Sequence, residues 1–184
     1  MRHRSQCQVF LATLLLALGA HAQTEETHTL QREDGTSVTY VLRTYPADAH
    51  LLSPDARPTP TTPLNSAKLI ILHLSDGDIE DAALLSNSPR RRYEELRNYR
   101  ERVGEEEFKR VFAQYLAADN RLIAEIAIDN RSLLIWDLRT GATRIAGQYF
   151  VEIDGSYLID DVPNEQRTHL RWVLEAYRAG KLPR

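Results

Sequence analysis

From Arg121 to Asp161 apolar residues recur with a period of two, and no other stretch restricts the fold as tightly. Successive side chains of a strand point to opposite faces, so this period predicts β-structure with one apolar face per strand. Leu122, Ala124, Ile126 and Ile128 alternate with Ile123, Glu125, Ala127 and Asp129. After Asp129-Asn130 a second run places Leu134, Trp136 and Leu138 on one face, and Thr140-Gly141 breaks it. A third sets Ile145, Gly147, Tyr149, Val151 and Ile153 against Arg144, Ala146, Gln148, Phe150 and Glu152. Asp154-Gly155 suits a two-residue hairpin, whose central positions both need positive φ, and Tyr157-Leu158-Ile159 starts a fourth strand. Four strands joined by short turns make an antiparallel meander with an apolar face to be covered.

Residues 1–22 have the form of a cleaved secretory signal. Arg2 and Arg4 are basic, Val9 to Ala20 is apolar, and Ala20-His21-Ala22 fits the small-x-small cleavage site before Gln23. The apolar run falls well short of the roughly 20 residues of a spanning helix. The single cysteine, Cys7, precedes that run, which does not fit a lipoprotein. Cleavage would remove the only cysteine and leave no disulfide, thiol nucleophile or thiolate metal site. It would also make the chain two charges more negative than its formal −3. Mild acidity and export both argue against a nucleic-acid partner. No later segment is apolar enough to cross a membrane, and the expected location is periplasmic or secreted.

Residues 23–45 read as a small β-hairpin, with Val38, Tyr40 and Leu42 alternating with Thr39, Val41 and Arg43, feeding a second β-rich arm. Residues 46–65 hold five of the eight prolines. Proline removes ladder donors, so this stretch is a linker or surface loop, with a proline-rich partner motif as the alternative. Residues 66–184 form the main domain. Ser66 to Ser75 is too short for its period to separate helix from buried strand, and the helix-prone Asp78 to Leu85 tips it toward helix. Asn87-Ser88-Pro89 restarts a helix carrying Tyr93, Leu96, Tyr99 and Val103. Gly104 ends it, and Glu105-Glu106-Glu107 opens another with the stripe Phe108, Val111, Phe112, Tyr115 and Leu116. Val162-Pro163-Asn164 caps a last helix through Leu170, Val173, Leu174 and Tyr177. The expectation is an α+β fold: helices packed on a curved antiparallel four-stranded meander, with an N-terminal hairpin and a C-terminal helix.

Three stretches give a family resemblance over roughly residues 64–161. Leu74-Ser75-Asp76-Gly77-Asp78 leads into Ala82-Ala83-Leu84-Leu85-Ser86, a helix-joining turn, and the meander follows. Ile153-Asp154-Gly155-Ser156-Tyr157-Leu158-Ile159-Asp160 supplies a late hairpin of acid, glycine, aromatic and aliphatic residues. Together these resemble the nuclear transport factor 2-like superfamily, which includes SnoaL-like proteins. The resemblance implies helices packed into a curved sheet, and its members range from enzymes to binding domains.

Candidate site residues come with bland alternatives. Trp136 and Tyr149, with Tyr157, either line a cleft beneath the helices or simply fill the core. Trp136 should look toward Phe108, Phe112 and Tyr115. His73, in the most apolar helical run, is a core histidine or an acid–base group beside a carboxylate such as Asp137 or Asp160. Arg90, Arg91 and Arg92 oppose the dipole of the helix they begin, as a salt-laced face or a patch for an anionic surface or acidic partner. Asp76, Asp78, Glu80 and Asp81 fail the calcium-loop template, which wants Gly and Glu where the chain has Asp81 and Asn87. The four histidines outside the leader lack metal-ligand spacing, and no nucleophile elbow or phosphate loop is present. The expectation is a binding protein without cofactor or metal, acting on a small apolar ligand or a protein partner. A second copy of the chain stays open as that partner. The alternatives are a small acid–base enzyme and an anionic-surface docking module.

Overall fold

A computed structural model describes residues 25–45, 49, 57–139 and 145–182. The signal-peptide reading, the Thr140-Gly141 break and half of the proline-rich stretch lie outside them. The protein is α+β. Six strands, β1 (Glu25–Gln31), β2 (Ser37–Thr44), β3 (Arg121–Ile128), β4 (Arg131–Asp137), β5 (Ile145–Ile153) and β6 (Ser156–Ile159), form one antiparallel sheet in chain order. The hairpin β1–β2 is therefore not a separate arm. Val41 to Thr44 pairs with Ala127 to Ala124, so the sheet has six strands where four were expected. The reason is burial: Val38, Tyr40 and Leu42 share an apolar face that a lone hairpin leaves in water.

Helices α1 (Pro63–Asp76), α2 (Ile79–Leu84), α3 (Pro89–Val103) and α4 (Glu105–Ala113) lie on one face of the sheet. The ambiguous apolar block is helical, and its ends show why. Thr62 Oγ1 accepts from Asn65 N at 3.1 Å, and Pro63 occupies the first turn, where its missing N–H costs nothing. At the other end Gly77 adopts φ 89°, Asp78 N donates to His73 O, and Gly77 N donates to Leu74 O. The helix starts three residues earlier than expected, inside the proline-rich stretch. Its buried stripe meets Leu122, Leu134, Trp136, Leu138 and Phe150 across the interface. Trp136 shares this core with Phe108, Phe112 and Tyr115, as its strand position predicts.

The second face is covered by α5 (Glu165–Arg178), capped by Asn164 Oδ1 accepting from Arg167 N at 2.8 Å. Leu170, Val173, Leu174 and Tyr177 pack on Val38, Tyr40, Leu42, Leu133 and Ile135. The sheet is thus buried on both faces, which explains why β4 runs Leu133-Leu134-Ile135-Trp136 without a polar residue. Gly147 lets α5 approach: a Cβ there would come within 2.6 Å of Leu174 and 2.9 Å of Leu133.

One expectation about faces is corrected. Leu122 pairs with Trp136 and Ala124 with Ile135, so Ile123 is an extra residue, a β-bulge. A one-residue slip exchanges faces. Leu122 therefore joins the core under α1–α4, while Ala124, Ile126 and Ile128 join the one under α5. The same shift buries Glu125, whose carboxylate accepts from Arg43 Nη1 and Tyr45 Oη, each at 2.8 Å.

Candidate functional site

Between the helical layer and the sheet lies a cavity of about 410 Å³. Its walls are Ile70, Ile71 and Leu74 of α1, with Phe112 of α4 and Tyr115 of the 3-10 turn after it. Its floor is Trp136, Leu138 and Ala146. Trp136 is only 2% exposed, and its indole Nε1 donates to Gln148 Oε1 at 2.9 Å. Gln148 thus satisfies the one polar atom of a large apolar side chain at the cavity floor. Helix–sheet layers leave such a space where β5 continues past β6. Val151 and Phe150 pair with β6, but Ile145 to Gln148 pair with β4 alone.

The cavity's other end is polar, bordered by Arg92, Asp160, Asp161, Tyr149 and Arg167. Both aspartates are spoken for. Asp160, fully buried, accepts from Arg131 Nε at 3.1 Å, Asn87 Nδ2 at 2.7 Å and Asn164 Nδ2 at 3.1 Å. Asp161 receives a two-pronged bond from Arg92 and another from Ser86 Oγ. The backbone repeats the connection, since Ile159 N donates to Leu85 O and Asn87 N to Ile159 O. These contacts tie the end of β6, the α2–α3 turn, the start of β4 and the cap of α5 into one knot. Arg167, in the first turn of α5, lies over the Tyr149 ring with its guanidinium carbon 5.3 Å from the centroid. Burial pushes the Tyr149 phenol up, and Arg167, Arg178 and Arg171 offset part of that rise.

Among the expected site residues, Trp136 and Tyr149 both border this cavity, but from different faces. Tyr149 pairs with Leu133 and packs in the α5 core, so it meets the cavity at the sheet's edge rather than beneath the helices. Asp137 is not on the lining and pairs with Arg139 at 3.2 Å. His73 is also elsewhere: its Nδ1 is 3.0 Å from Arg57 Nη1, and Asp78 and Asp81 lie at 3.7 and 3.8 Å. Those three residues can bring ligand atoms within 4.8 Å of one another. A guanidinium only donates, so His73 Nδ1 is already accepting from Arg57, and a metal ion would compete for the same lone pair. Arg90, Arg91 and Arg92 do not form one patch. Arg90 is 94% exposed and bonds Glu94, Arg91 bonds Glu95, and Arg92 turns inward to Asp161.

Sequence reasoning missed Gln148, Arg167 and the Asp160–Asp161 knot. Gln148 carried a signal, being an amide between Ala146 and Phe150 on a core-facing alternation. Arg167 carried one too, as a cation in the first turn of a helix. Searches against protein-family models, curated proteins and solved structures find no match.

Proposed function

We propose that this is an exported binding protein of the nuclear transport factor 2-like type, which holds a small apolar ligand between helices and sheet without chemistry. The cavity carries this reading. Its volume falls within the range of ligand sites, and its depth is aliphatic and aromatic with one oriented amide. Helices that precede a meander and enclose a space against it support the family assignment. The leader features of residues 1–22 support export, and no helix among the described residues is long and apolar enough to cross a membrane. The acid–base alternative gains nothing from the geometry, because His73 and Asp137 lie off the cavity and Asp160 is held by three donors.

Two experiments test the proposal. N-phenyl-1-naphthylamine, a neutral apolar fluorophore, should bind saturably with a Kd of roughly micromolar order. Ala146→Phe places a ring over the floor and should weaken binding at least about tenfold while the protein stays folded. Absence of saturable binding to the wild type would reject a ligand cavity. For export, peptide mapping of the secreted protein should find Gln23, or its cyclised form, at the N-terminus. Recovery of the intact leader in the membrane fraction would contradict cleavage.

A further inference from the structure

The polar end of the cavity has an excess of positive charge that belongs to one side chain. Asp160 and Asp161 are balanced by Arg131 and Arg92, with Asn87, Asn164 and Ser86 using further oxygen lone pairs. Arg167 is a third cation with no carboxylate within ion-pairing distance among the described residues. The sequence of α5 shows why. Residues three and four away on either side of it are Asn164, Pro163, Leu170 and Arg171, none of them acidic. The two glutamates of the helix lie near other partners, Glu165 by His169 and Glu175 by Arg171. Asn164 caps the backbone of Arg167, and among the described residues the Tyr149 ring is the partner of its guanidinium.

We propose that the ligand is an amphiphile with a single anionic head, its apolar tail along Trp136, Leu138 and Ile70 and its head against Arg167. This rests on the apolar cavity proposed above and adds the ligand's chemical class. A guanidinium presents a planar fork of donors that suits a carboxylate. A cationic head would instead find two aspartates already neutralised and a third charge of its own sign. A neutral head would leave Arg167 without an ion-pair partner among the described residues.

Competition against N-phenyl-1-naphthylamine on the secreted protein tests this with octanoate, 1-octanol and octylammonium, which share a tail length and differ in head charge. In the wild type, octanoate should displace the fluorophore about tenfold better than octanol, and octylammonium should be the weakest, a difference expected of one charge-assisted contact. Arg167→Met should erase the octanoate advantage, read as the ratio of octanoate to octanol affinity within that variant, and Arg167→Lys should keep most of it. Equal binding of octanoate and octanol by the wild type would overturn the proposal, as would octylammonium binding best. An octanoate preference that survives in Arg167→Met would overturn the role of Arg167. In each of those cases retained fluorophore binding leaves the apolar cavity standing, whereas a wild type that binds no fluorophore rejects both readings.

Discussion

Trp136→Ala should cost about 3–5 kcal/mol in denaturant unfolding, a large share of an ordinary domain's stability. The indole is 2% exposed and belongs to the core that joins Leu122 to Phe108. Truncation would remove its packing and enlarge a space that already exists beside it, so the walls have little new support to collapse onto. It would also leave the Gln148 amide without its donor. Trp136→Phe removes the same donor with a smaller loss of packing, and about 1–3 kcal/mol should be lost. Tyr149→Ala should be the milder truncation, because that ring is only partly buried at the sheet's edge. A nearly neutral Trp136→Ala, or a costlier Tyr149→Ala, would mean that the tryptophan is a lining residue with few neighbours.

Asp160→Ala should be comparably damaging, at about 3–5 kcal/mol, read as a fall in thermal or denaturant stability. The carboxylate is fully buried and its removal strands three donors at once. Arg131 would keep its charge with little exposure, and Asn87 and Asn164 would each lose an acceptor. The effect should spread, because Asn164 also caps α5 and Asn87 Oδ1 accepts from Asp161 N. Arg90→Ala is the matched control. Its surface pair with Glu94 is highly exposed, and the change should be close to neutral. If Asp160→Ala unfolds no more easily than Arg90→Ala, the knot does not hold the helical layer to the sheet.

The contrast between those two residues shows what a sequence can disclose. Arg90 and Glu94 are four residues apart, a spacing that helix geometry alone converts into contact. Asp160 and Asn87 are 73 residues apart, and nothing local says that they meet. The same division runs through the fold. The Gly77 end of α1, the Gly104 junction and the Asp154-Gly155 turn, with φ of 51° and 76°, follow from residue types at fixed short offsets. The β2–β3 pairing spans Thr44 to Ala124 and depends on which face of the hairpin must be buried. The bulge at Ile123 was invisible because Leu122, Ile123 and Ala124 are all apolar, so alternation there cannot register an extra residue. Simple alternation sets Glu125 on the face opposite Leu122, whereas the bulge pairs it with Leu134, buried with Arg43 and Tyr45. At the cavity, Trp136 is legible from its strand face, while Arg167 depends on the packing of α5 over the second face, which sets it on Tyr149.

A ligand that enters the space beside Trp136 changes the surroundings of its indole N–H, whose resonance reports the occupancy. The chain has two tryptophans, and they occupy different surroundings. Trp136 lines the cavity and bonds Gln148. Trp172 lies on α5 beneath the Arg32 guanidinium, whose carbon is 4.1 Å from its ring. Titration of the ¹⁵N-labelled protein with N-phenyl-1-naphthylamine should shift the Trp136 indole signal saturably and leave that of Trp172 in place. A Trp136 signal that stays fixed at saturating fluorophore, or a shift confined to Trp172, would contradict ligand entry there.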